Sequence, residues 1–159
     1  MTTKEIEFSR GLPVFVVGFG LFDWIRIREA NVTYCMTKIL KGNPVEHEAR
    51  VRASLAEQGF GILSEIDVEA TLRNKLGAEI GPYKILGACN PVFAKGALDM
   101  EPRIGAMLPC NVVLRGVEGG TEISFVDPVA SMVAIDNPAL KAHAEVVGDK
   151  LRQAFERTT

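Results

Sequence analysis

Four times in this chain an Asn or Asp is followed directly by proline: Asn43-Pro44, Asn90-Pro91, Asp127-Pro128 and Asn137-Pro138. Proline's fixed φ suits the first position of a helix, where its missing N–H costs nothing. The side-chain oxygen of a preceding Asn or Asp accepts one of the free N–H groups of that first turn. Asn43 and Asn137 therefore open long helices, Asn90 opens a short one, and Asp127 opens a short apolar turn or helix. What lies between these points must be strand, turn or further short helix.

The intervening segments read accordingly. "VTYCMTKILK", residues 32–41, alternates as a first strand, with Tyr34, Met36 and Leu40 on one side and Cys35 and Ile39 on the other, ending at Gly42. "VEHEARVRASLAEQ" then runs as a helix to Gly59, with Val45, Ala49, Ala53 and Ala56 as its apolar stripe and Val51 and Leu55 beside it. "FGILSEID" is a second strand, after which Asp67 caps a short helix with Val68, Leu72 and Leu76 at helical spacing, stopped by Gly77. "PYKILGAC" is a third strand, and the helix opened at Asn90 runs through Ala97 and Leu98 until Pro102. "MLPCNVVLR" and "TEISFV" form a hairpin through Gly119-Gly120. The segment opened by Asp127 carries Val129, Met132 and Val133, and the last helix carries Leu140, Ala144, Val147, Leu151 and Phe155 on one stripe. The order β-α-β(4)-α with short helical insertions predicts an α+β fold, an antiparallel sheet with two long helices on one face.

A chain of 159 residues with 47% hydrophobic and 24% charged content has the balance of one globular domain. A net charge of −2, with no Lys/Arg cluster interleaved with aromatics, gives no case for a nucleic-acid partner. The apolar run "LPVFVVGFGLF", residues 12–22, is too short for a membrane span, which needs about 20 residues. Glu5 and Glu7 also make it a poor signal peptide, so the expected location is cytoplasmic. Three cysteines fit a reducing compartment better than a disulfide scaffold.

The segments "EQGFGILSEIDVEATLRNKLG", "PYKILGACNPVFAKGAL", "IGAMLPCNVVL" and "VDPVASM" carry a pattern that resembles the family called domain of unknown function 302, from residue 33 to about residue 155. The resemblance implies a small α+β fold similar to the TATA-box-binding-protein-like architecture and a homodimer. It marks Cys89-Asn90-Pro91 and Pro109-Cys110-Asn111 as characteristic, and it implies no reaction. Residues 32–159 are then a single family domain, and residues 1–31 an N-terminal extension the family pattern lacks. Arg28-Glu29-Ala30 can be encoded by a purine-rich ribosome-binding sequence just before a valine start codon at Val32, which reads residues 1–31 as a translated leader. A strand or amphipathic helix covering a dimer surface and a degraded targeting peptide are the competing readings.

Cys89 stands one residue before the Asn90 cap, so the free N–H groups and positive end of the following helix favour its thiolate. If the third and fourth strands pair antiparallel, Cys110 at the start of the fourth lies near it. Cys89, Asn90, Cys110 and Asn111 then form a candidate cofactor site, with Cys89 and Cys110 as ligands for a soft transition metal or contacts for haem. The plain alternative is two core cysteines beside an ordinary helix start.

His47 and His143 are soft-metal donors in type but read as solvent-face residues of their helices. Met100, Met107 and Met132 are thioether donors in type but read as core filling. Glu65, Asp67 and Glu69 alternate like a cation site, yet Asp67 as cap and Glu69 in the first turn account for themselves. "VVGFGLFD", residues 16–23, begins like a dinucleotide fingerprint but has Asp23 at the third glycine position and no βαβ unit after it.

The functional expectation is a homodimeric binding module with a soft-metal, cofactor or redox-responsive thiol site at Cys89 and Cys110. The alternative is an association protein that binds a partner or a small apolar ligand through its sheet face or the segment around Val129, Met132 and Val133. A Cys89 nucleophile would need a base that the sequence does not name.

Overall fold

Every Asx-Pro pair opens a helix in the computed structural model, which describes residues 34–159. The readings made for the apolar run and the leader lie outside the described residues. Asn43 Oδ1 accepts from the Glu46 N–H at 3.1 Å, and Asn137 Oδ1 from the Leu140 N–H at 3.2 Å. Asp127 Oδ1 accepts from the Val129 N–H at 2.8 Å, and Asn90 Oδ1 from the Val92 N–H at 3.1 Å. The helices are α1 (Pro44–Glu57), α2 (Val68–Leu76, capped by Asp67), α3 (Pro91–Met100), α4 (Pro128–Ser131) and α5 (Pro138–Arg157). A turn of 3-10 helix, Pro102–Met107, follows α3 where the sequence reading expected only a stop at Pro102.

The strands are β1 (Cys35–Leu40), β2 (Gly61–Asp67), β3 (Tyr83–Cys89), β4 (Cys110–Val117) and β5 (Gly120–Val126). They form one antiparallel sheet in the order β1-β5-β4-β3-β2. The β4–β5 hairpin turns at Gly119, whose φ of +85° suits glycine, and pairs Val117 with Gly120. β1 then adds to β5 from the other end of the chain, Cys35 opposite Val126.

Alternation along the strands sends Leu86, Ala88, Val112, Leu114, Ile123 and Phe125 to one face, each 1% exposed or less. Against them pack Val51 and Leu55 of α1 and Val147, Leu151 and Ala154 of α5. Both long helices thus share one face, as expected. On the α5 side the stripe is the one read from the sequence. On α1 it is not: Val45 is 78% exposed, while Val51 and Leu55 are buried together with His47.

His47 corrects the expectation of a solvent-facing histidine. Its Nε2 donates to the Lys41 carbonyl at 2.9 Å, and Thr121 Oγ1 donates to the neighbouring Gly42 carbonyl at 2.8 Å. The imidazole is buried where the β1–α1 turn presents this carbonyl to α1. α2 differs too: none of its residues is buried, and Leu76 is 74% exposed. Its helical spacing reflects a short connection across the end of the sheet that covers no core.

A second, smaller cluster joins Ala97 of α3, Ile104 of the 3-10 turn, Met132 after α4, and Leu140 and Ala144 of α5. Met132 is 7% exposed, so the segment that follows Asp127 turns this side chain inward while Val133 stays 72% exposed. This cluster closes over one end of the sheet, the end at which β3 finishes and β4 begins.

Candidate functional site

Antiparallel pairing of β3 with β4 sets Ala88 opposite Cys110 and Gly87 opposite Asn111. Cys89, one residue past Ala88, is therefore the diagonal neighbour of Cys110. Gly87 makes this end of the sheet possible, because a Cβ there would overlap Ser64 Oγ and the Pro109 ring. Pro109 lies in that gap and leads the chain straight into Cys110 and Asn111.

Between the strand ends, α3 and α5 lies a cavity of about 250 Å³. Ala88, Cys89, Cys110 and Asn111 line it from the sheet, Phe93, Ala94 and Ala97 from α3, and His143, Ala144 and Val147 from α5. Asn90, Ser131, Met107 and Met132 also border it. The structure thus places all four sequence-predicted site residues on one cavity, with two of the three methionines that were set aside as core. Met100 is 40% exposed and does not line it.

Burial pushes the Cys89 thiol up, and burial first, then the neighbouring Cys89, pushes Cys110 up to about 11. The helix start does not offset this. Asn90 Oδ1 takes the N–H groups of Val92 and Phe93, at 3.1 and 3.4 Å, so the donors expected to hold a Cys89 thiolate are occupied by the cap itself. Both thiols are neutral near pH 7 and form a soft patch on the cavity wall.

This has a pH signature. Cys110 holds its proton more tightly folded than unfolded, so its contribution is complete below about pH 9 and is lost as pH rises toward 11. The expected loss is on the order of 2–3 kcal/mol. Urea unfolding at pH 8 and pH 11 checks it: Cys110→Ala should show a smaller alkaline drop than the parent, and equal drops would refute the assignment. Iodoacetamide labelling of Cys89 should likewise be slow at neutral pH.

The sequence reading missed His143, which it assigned to the solvent face. Its place one residue before Ala144 on the buried stripe was the available signal. Its ring meets the Phe93 ring edge-on at 5.5 Å between centroids, and Nε2 donates to the Phe93 carbonyl at 2.8 Å. Phe93, Ala94 and Ala97 were equally invisible as site residues, since small and aromatic residues on a short helix read only as packing.

Among the described residues, no three His, Cys, Asp or Glu side chains converge as a metal-ligand group. The acidic run behaves as read: Glu65 pairs with Arg52 at 2.6 Å, Asp67 caps α2 through the Ala70 N–H at 2.8 Å, and Glu69 pairs with Arg73. No helix of the described residues is long and apolar enough to cross a membrane.

A family model, "Domain of unknown function DUF302", matches residues 36–158. A crystal structure described as "uncharacterized conserved protein DUF302 from Bacillus stearothermophilus" is similar, with a TM-score of 0.75 and 29% sequence identity over 80% of this chain and 100% of that one. No curated protein matches the chain. The β-α-β(4)-α order, the Cys89-Asn90-Pro91 and Pro109-Cys110-Asn111 segments at facing strand ends, and a family match spanning nearly every described element lead to one assignment: the chain belongs to the domain of unknown function 302 family.

Proposed function

We propose that this protein is a cytoplasmic homodimeric binding module whose site is the cavity at Cys89 and Cys110. The observation that carries the reading is convergence: residues from β3, β4, α3 and α5, distant in sequence, line one space that contains two thiols, two carboxamides, a hydroxyl and an imidazole within apolar walls. Concave, mostly apolar sites with a few placed polar groups are where small ligands bind. Among the described residues no three His, Cys, Asp or Glu side chains converge, which favours a small organic ligand over a zinc-type centre. Support for association comes from the sheet face away from α1 and α5, where Ile39 is 52% and Ile66 49% exposed.

The test is native mass spectrometry of the full chain purified without oxygen from its own host. A mass increment on a dimer is expected, lost in Ala94→Phe, which places a ring in the cavity from a half-buried position on α3. Bare polypeptide from the unaltered protein would sink the binding reading, and a monomer would sink the dimer.

A further inference from the structure

The cavity borders four kinds of polar side chain but no Asp, Glu, Lys or Arg among the described residues. A charged ligand would therefore be desolvated there without a counter-ion, at a cost of several kcal/mol. The occupant is uncharged.

Its polar end is set by His143. A carbonyl oxygen only accepts, so the 2.8 Å contact with the Phe93 carbonyl takes a proton on Nε2, and in the neutral imidazole Nδ1 is then the lone-pair acceptor. Nδ1 has no hydrogen-bond partner among the described residues, and the Phe93 contact fixes the ring. His143 thus sets one fixed acceptor on the wall of this apolar space. An apolar cavity of about 150 Å³ takes a benzene ring, so 250 Å³ holds a ring with a small substituent.

Resting on the binding reading above, we infer that the ligand is a neutral, ring-sized apolar molecule bearing a hydroxyl or N–H group, which donates to His143 Nδ1.

Three probes of similar size separate the possibilities: phenol, toluene and benzoate, each titrated into the isotope-labelled full chain while the amide resonances of Ala88–Asn90 and Cys110–Asn111 are followed. Phenol is expected to bind about 5–10-fold more tightly than toluene, the worth of one hydrogen bond, with benzoate weakest. His143→Leu should bring phenol down to the level of toluene without changing toluene, and His143→Gln, which keeps an acceptor, should restore part of the difference. Toluene or benzoate binding as well as phenol would overturn the inference while leaving the cavity as a site. No binding of any probe to the parent protein would overturn it as well. The Ala94→Phe spectrum then reports independently whether the binding reading falls too.

Discussion

Gly120→Ala is expected to cost about 3 kcal/mol or more of folding stability, a large part of what a domain of this size possesses. Gly120 opens β5 where β1 crosses beside it, and an added Cβ would overlap the Leu40 carbonyl oxygen. The clash is with backbone on the neighbouring strand, so no rotamer relieves it. β1 must move away from β5 or the hairpin must open, and either displaces the register from Leu40–Thr121 onward. The penalty is steric, not conformational, because Gly120 is not among the glycines with positive φ. Urea unfolding followed by circular dichroism measures it, and a midpoint within about 0.5 kcal/mol of the parent, the range of an ordinary surface substitution, would show that the close approach is absent in solution.

Phe125→Ala should cost about 3–5 kcal/mol. Phe125 is fully buried near the end of β5, opposite Met36 on one side and Val112 on the other. Its ring meets Phe155 of α5 edge-on, 5.5 Å between centroids at 69°. Removing it leaves a void between sheet and helix, in contact with strands too tightly hydrogen-bonded to collapse into it, which is the situation in which the cavity cost is largest. Phe125→Leu, which keeps most of the volume, should lose much less. Similar losses for the two variants would place the ring outside the packed core and refute its assignment.

Chemistry encoded within a few residues was legible directly. An Asx-Pro pair caps and starts a helix wherever it occurs, and Gly119-Gly120 turns a hairpin, because the groups that satisfy each other are neighbours in the chain. The α5 stripe was legible for a related reason: five apolar residues at regular spacing leave a 20-residue helix one face to bury. α1 lacked that clarity. Its alanines compete with Val51 and Leu55 for the same role, and the larger side chains win because burying them removes more apolar area from water.

The site divides in the same way. That Cys89 and Cys110 stand at facing strand ends followed from strand order and antiparallel pairing. That burial rather than the helix start sets the state of their thiols did not follow, since it depends on how α3 and α5 close over them and on Asn90 using the cap donors itself. His47 and His143 show the limit most plainly, two histidines on helices with the same sequence reading. One is pinned to a turn carbonyl six residues back and one to a carbonyl on another helix beside the cavity.

The amino-acid sequence by itself determined where the α-helices begin, the α+β order and the family, because caps, turns and periodicity act over a few residues. Only the tertiary structure decided which α1 face is buried, which histidine lines the cavity and in what protonation state the cysteines sit, because desolvation and hydrogen-bond partners come from segments dozens of residues away.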